Sequence, residues 1–208
     1  MMSAWLGLLI LAACIPESDH PLSDPSCAKP DSRLLGTWVG MNSDGDGPIW
    51  LHFAEGEKSM TEIVLVCPEP KRGIDTSFYV MHPTAAGSHS FMNVRSTIPK
   101  SLLSLKVQED LKYPKPGGYL ICKYEISSEG ILKISVLTDA IAQEIQDGKL
   151  KGQVKKDRFS TEVLIRESSE NLLRFIEKED HEQFFDLFLV CRKADERLPL
   201  EGGLHNMR

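Results

Sequence analysis

The acidic and amide side chains between positions 42 and 47 have a spacing that could bind a cation. Asn42, Asp44 and Asp46 alternate and Gly47 follows, as in the first half of an EF-hand calcium loop. The twelfth position of such a loop requires a bidentate glutamate, and here it is Phe53. We therefore interpret the segment as a tight turn, and we expect neither a bound metal nor another cofactor.

Histidines and hydroxyl groups are the other residue types that could carry catalysis. None of the six histidines has HxH or HExxH spacing, and no GxSxG motif is present. Ser88-His89-Ser90 places hydroxyls beside an imidazole, but neighbours on a strand point to opposite faces. The sequence therefore predicts no catalytic residue and a non-enzymatic protein.

Trp50 and His52 are the residues most able to contact a ligand. They share one face of a predicted strand at 49–53, and Ile49, Leu51 and Phe53 share the other. If the first face lines a barrel interior, Trp50 and His52 would face a ligand. The alternative is an exposed or hydrogen-bonded strand face.

Five cysteines bear on the compartment in which the protein works. None has CxxC spacing, which argues against a zinc or thioredoxin-type site. Cys14 stands apart at the end of the first apolar run, and the other four could form two disulfides with three connectivities. That number suits an oxidising compartment. The four are Cys27, Cys67, Cys122 and Cys191.

Length and charge narrow the class of protein. The chain has 208 residues, 41% of them hydrophobic, which is enough for a substantial core. The net charge is −6 with both signs mixed along the chain, so nucleic acid is not expected as the partner. One basic cluster is interpreted as an exposed loop or strand, with anionic lipid as an alternative contact: Lys149, Lys151, Lys155, Lys156 and Arg158.

The N-terminus has the pattern of an export signal. Residues 4–13 form an apolar run too short to span a bilayer, which needs about 20 residues. Leu11-Ala12-Ala13-Cys14 follows at its end and resembles the lipobox of bacterial lipoproteins. The resemblance implies a signal peptide at 1–13, acylation of Cys14 and a membrane-anchored protein of the cell envelope, and Ile15 favours the outer membrane in a Gram-negative cell. The alternative is a buried helix ending in an ordinary cysteine.

Residues 14–31 follow the signal and are predicted to be a tether. The segment contains four prolines and several Ser and Asp residues, and it has little apolar surface to offset its ordering entropy. We expect it to hold the domain away from the membrane.

The remainder, 32–194, is predicted to be a mostly β domain, with a loose tail at 195–208. Turn signals recur every 8–12 residues in its first half, as in antiparallel barrels and sandwiches. Helices are predicted at 139–147 and from Ser168 or Ser169 to about 179, whereas 98–108 fits either a strand or a helix. The predicted strands are 34–40, 49–53, 62–67, 76–81, 90–95, 119–126, 131–137, 161–165 and 188–193.

Gly36-Thr37-Trp38 on the first strand resembles the Gly-X-Trp signature of the lipocalin-like (calycin) barrels. The resemblance implies an antiparallel barrel of about eight to nine strands, in which Trp38 closes one end and packs against a basic residue of the last strand. Arg192 is the matching residue here. The alternative is that Trp38 is a core aromatic of another antiparallel sheet.

Together these patterns favour a membrane-anchored envelope lipoprotein that binds a small apolar ligand or has a structural role. The alternative is an interaction module that binds another envelope protein or a host protein. The interior of the barrel distinguishes the two, because a ligand site needs an open apolar cavity of about 300 Å³ or more.

Overall fold

A computed structural model describes residues 15–41, 47–69, 73–97, 117–158, 160–178 and 181–194. The predicted signal peptide, Cys14, the calcium-like turn, the ambiguous 98–108 segment and the C-terminal tail lie outside these ranges. Short 3₁₀ helices span Pro25–Cys27, Glu57–Ser59 and His181–Phe184. The strands are β1 Glu17–Ser18, β2 Gly36–Met41, β3 Pro48–Glu55, β4 Thr61–Glu69, β5 Gly73–Ala86, β6 His89–Ser96, β7 Tyr119–Ile126, β8 Ile131–Leu137, β9 Gly152–Lys156, β10 Thr161–Ile165 and β11 Phe185–Lys193, and the helices are α1 Ile141–Gln146 and α2 Ser169–Lys178.

Eight strands close into an antiparallel barrel. Strands β2 to β8 pair in chain order, β11 lies between β8 and β2, and β6 pairs with β7 to complete the ring. The predicted mostly β fold with an antiparallel barrel and two later helices is therefore confirmed.

Alternation of side chains divides the strands into an inner and an outer face. On β3, Ile49, Leu51 and Phe53 are buried inside the barrel, and Trp50 and His52 point the other way. The period-2 pattern in the sequence follows from this geometry, because successive residues of a strand point to opposite faces.

The seam between β2 and β11 is the shortest junction between neighbouring strands of the barrel. It has three register pairs, Trp38 with Lys193, Val39 with Arg192 and Gly40 with Cys191. By comparison, β4 and β5 share nine register pairs. A bulge between Leu187 and Leu189 interrupts the pairing of β11 with β8. The part of β11 that precedes Cys191 makes no register pair with β2, so the two strands diverge there.

A second layer covers the outside of β6 and β7. Strand β1 extends the sheet from β7 and is followed by β10 and β9. Helices α1 and α2 pack nearby, and together these elements bury a second hydrophobic core. Its fully buried members include Leu22, Phe91, Ile121, Ile141, Ile165 and Leu172.

The predicted tether belongs to this folded body, which corrects the domain boundary at residue 32. Pro16 is buried, and Glu17–Ser18 pairs with both β7 and β10. Leu22 is 1% exposed in the second core, a burial that stabilises by roughly 1.5–3 kcal/mol. Composition did not predict this packing, because the segment is held largely by hydrogen bonds from its backbone to polar side chains of the barrel.

Candidate functional site

The barrel interior is filled by its own side chains. Inward-facing residues of all eight barrel strands contact one another in a single cluster at the centre of the ring. Trp38, Phe53, Met81, Met92 and Leu132 are each at most 1% exposed. Side-chain packing of this kind occupies the space that a lipocalin-type ligand would need.

Trp38 is buried in the barrel core, and the basic side chain over its ring is not the predicted one. The Trp38 indole N–H donates to the Leu34 carbonyl at 2.6 Å, and Lys193 Nζ lies 5.5 Å from the ring centroid. Arg192 is displaced by one residue and points outward, since it pairs with Val39. The predicted Trp38–Arg192 contact is therefore wrong, and Lys193 provides the cation.

Trp50 and His52 lie on an exposed, hydrogen-bonded strand face, which the sequence left open as the alternative to a ligand-facing position. Both face the outside of the barrel, and His52 is exposed with its Nδ1 2.9 Å from the Thr37 hydroxyl. They are not placed toward an interior ligand. Their strand neighbours Ile49, Leu51 and Phe53 occupy the inner face instead.

The four predicted disulfide cysteines form no disulfide in the described part of the chain. Cys27 is exposed, whereas Cys67, Cys122 and Cys191 are buried among apolar side chains of the interior. Burial raises the pKa of Cys122 to about 12 and that of Cys191 to about 11, so these two thiols stay protonated and unreactive. They act as small core residues.

The outer face of β2, β3, β4, β5 and β11 carries exposed apolar side chains that the sequence did not predict. Ile74, Met41 and Leu187 are 72%, 62% and 59% exposed. These five consecutive strands extend round half of the eight-strand ring, so the surface curves, with β5 and β11 on opposite sides of the barrel and β3 midway between them. We call it the apolar wall, formed by Val39, Met41, Trp50, Val64, Val66, Ile74, Phe78, Leu187 and Val190.

A groove of about 500 Å³ opens on the apolar wall at the seam. Val39 and Met41 line one side, Leu187, Phe188 and Val190 line the other, and Arg192 adds a positive charge. The groove exists because β11 diverges from β2 beyond the three seam pairs. Its clustered exposed apolar side chains make the groove a candidate interaction site.

One sequence signal for the apolar wall was present in β4. Ile63-Val64-Leu65-Val66 is apolar at every position, whereas a half-buried strand alternates with polar residues. The inner residues Ile63 and Leu65 pack in the barrel core, whereas Val64 and Val66 point outward and do not contribute to it. Such a run indicates that both faces of the strand contact apolar groups.

The N-terminal segment is held by a buried polar network on the outer face of β5 and β6, at the end of β5 remote from Ile74. The backbone N–H of Leu22 donates to Asn93 Oδ1 at 2.6 Å, and Asn93 Nδ2 donates to the Thr84 hydroxyl at 2.8 Å. His82 Nε2 lies 2.9 Å from the Ser23 carbonyl oxygen, and the Ser23 and Thr84 hydroxyls are 2.5 Å apart. His82 and Asn93 are fully buried.

The basic cluster predicted at 149–158 lies mainly on β9 and its flanks, with its charges partly compensated. Lys155 lies 3.9 Å from Glu162, and Lys149 forms a 2.8 Å ion pair with Glu144. The cluster is therefore an exposed surface with mixed charge, and it does not present a continuous basic face.

Among the described residues, no three or more His, Cys, Asp or Glu side chains are placed to hold a metal ion. Nor does any helix in those ranges have the length and apolar character required to cross a membrane. Comparison of the chain with models of known families, with curated proteins and with solved structures finds no match.

Proposed function

We propose that this chain is a non-enzymatic, lipid-anchored protein of the bacterial cell envelope, with a lipocalin-like barrel that binds another protein through its apolar wall. The observation that carries the proposal is the combination of a filled interior with an exposed apolar exterior. The interior offers packed side chains where a small ligand would bind. The exterior offers Ile74, Met41 and Leu187 to solvent.

The position of the N-terminus argues that the occupant of the apolar wall is a protein and not the bilayer. Strand β1 pairs with β7, and in the ring of eight strands β7 lies four strands from β3 in both directions. β3 is the central strand of the apolar wall. Glu17 and Ser18 therefore lie on the side of the barrel away from β3, which favours a protein and not the bilayer as the occupant of the apolar wall.

Site-specific photo-crosslinking in intact envelopes tests the proposal. A photoreactive residue at Ile74 or Met41 is expected to give a discrete adduct with another protein, because both side chains are exposed on the apolar wall. The matched control is Gln153, an exposed position on β9. The double variant Val64→Glu/Val66→Glu should abolish the adduct, and equal adducts from Gln153 would refute the assignment.

Two measurements separate the remaining parts of the proposal. Mass spectrometry of the native chain and of Cys14→Ala tests the anchor, and an unchanged acyl mass would exclude lipidation at Cys14. Native mass spectrometry of the protein from its envelope tests the ligand hypothesis, and a stoichiometric small apolar molecule would favour ligand binding over the interaction role.

A further inference from the structure

Residues 17–24, which we call the N-terminal latch, are held on the barrel mainly by hydrogen bonds. Leu22 is its one buried large apolar side chain, and β1 contributes two residues to the sheet. The bonds to Asn93, Thr84 and His82 fix the stretch from Leu22 to Ser23. A segment with so little apolar burial depends on these polar bonds for its attachment.

His82 is the titratable member of that network. The Ser23 carbonyl can only accept a hydrogen bond, so His82 Nε2 carries the proton in the 2.9 Å contact. His82 Nδ1 is buried and has no hydrogen-bond partner among the described residues. The imidazole is therefore neutral in the docked state, and a second proton would place an N–H where no acceptor lies.

The groups around His82 do not compensate for that second proton. The Tyr119 ring meets the imidazole edge-on at 6.3 Å between centroids, and the Arg95 guanidinium lies over the same tyrosine ring at 5.7 Å. Asp24 attracts the imidazolium through space, but its carboxylate accepts from the Ser26 backbone N–H at 2.8 Å. Burial outweighs Asp24 and lowers the pKa of His82 from its ordinary value of 6.5.

We propose that the N-terminal latch is a proton-sensitive switch, docked when His82 is neutral and released when His82 Nδ1 takes up a proton. The direction follows from linkage. The released segment leaves an imidazole that binds protons at its ordinary pKa, so docking is complete above about pH 6.5 and weakens as the pH falls below it. Each unit by which docking lowers the pKa of His82 gives about a tenfold change in the docking equilibrium.

Release would change how the protein sits on a membrane, a consequence that rests on the proposed anchor at Cys14. In the docked state Pro16 is buried two residues after Cys14, so an anchor on Cys14 would hold the barrel close to the bilayer. Release of residues 15–24 would provide a linker of ten residues that extends up to about 33 Å. At low pH the released segment would then act as the tether that its Pro-rich composition predicted.

Hydrogen exchange of the full chain between pH 5.0 and 7.5, corrected for intrinsic rates, tests the switch. The amide of Leu22 is expected to lose protection as the pH falls below 6.5, with an upper limit of about thirtyfold at pH 5.0 that is reached when the docked imidazole takes up no proton. His82→Gln keeps an N–H donor for Ser23 but does not titrate, so its protection should change less than about twofold over the same range. His52→Gln, at an exposed histidine, is the matched control and should behave as the wild type does.

Either of two results would overturn the switch: protection that is independent of pH in the wild type, or a His82→Gln variant that still loses protection in acid. If His82→Gln does not fold, ¹⁵N NMR of the wild-type imidazole decides. The proton should be on Nε2 at pH 7.5, and a His82 midpoint at or above 6.5 would refute the proposal. If Cys14 is found without an acyl chain, the proposed change in position on a membrane is wrong, but the expected pH dependence of the N-terminal latch stays the same.

Discussion

Replacing Gly40 by alanine tests the packing of the barrel at its seam. A Cβ at this position would lie 2.8 Å from the Val190 carbonyl oxygen, 2.8 Å from Cys191 Sγ and 3.0 Å from Leu189 Cδ1. The carbonyl belongs to the backbone of β11, which is fixed by its pairing with β8. Relief of the contact therefore requires movement of a strand and not rotation of a side chain.

The expected cost of Gly40→Ala is about 1–3 kcal/mol of unfolding free energy, the range found when methyl groups are forced into packed cores. A loss of about 2 kcal/mol corresponds to a fall in Tm of about 4–8 °C for a domain of this size. Urea denaturation followed by circular dichroism measures the free energy, and differential scanning calorimetry measures Tm.

Gly117→Ala provides the matched control for this substitution. Its Cβ would meet the end of the flexible Glu17 side chain, 3.3 Å from Oε1, which can move aside at little cost. We expect this variant to be within about 0.5 kcal/mol of the wild type, or slightly more stable because the unfolded chain loses freedom. If Gly40→Ala is as stable as Gly117→Ala, the close approach of β2 and β11 is wrong.

Three further predictions concern the N-terminal network, the cation over the Trp38 ring and the cysteine thiols. Asn93→Leu leaves the buried Leu22 N–H without an acceptor and should cost about 1–3 kcal/mol in urea denaturation; an unchanged midpoint would contradict the network. Lys193→Met should cost about 0.5–1 kcal/mol through lost contact with the Trp38 ring, and Arg192→Met should cost less; the reverse order would restore the predicted partner. Cys27 should react with a thiol reagent in the native state, whereas Cys122 should react after unfolding, and rapid native labelling of both would refute the burial.

The strands were predictable from the sequence because their period is visible in it. Ile49, Leu51 and Phe53 alternate with outward residues, and the structure places them in one core. The second helix was also predicted well, since Ser168 accepts from the Asn171 N–H near its start. The first helix begins at Ile141, two residues later than predicted. The Thr138 hydroxyl, just before the predicted start, donates to the Phe184 carbonyl and does not cap the helix.

The basic residue at Trp38 could not be assigned from sequence alone. Arg192 and Lys193 are adjacent, and a shift of one residue exchanges the faces of a strand. The bulge between Leu187 and Leu189 sets the register of β11, and a bulge leaves no reliable signal in a short strand. The contact with the indole was foreseeable, but the residue that makes it was not.

The role of residues 15–31 could not be predicted for a different reason. Their composition is that of a spacer, and the groups that hold them lie at least 59 residues away in the sequence, on β5 and β6. His82, Thr84 and Asn93 are polar residues on strands, where outward-facing polar groups ordinarily contact water. Only the three-dimensional arrangement shows that they contact the N-terminal segment.

The seam between β2 and β11 also sets the order in which the chain can complete its fold. The three pairs that close the ring join residues 38–40 to residues 191–193, about 150 positions apart in the chain. A nascent or translocating chain that lacks β11 would leave β2 and β8 with bare edges, and contacts of such long range form slowly. The barrel therefore stays open until the C-terminal strand has arrived, and the ring closes as the last step of folding.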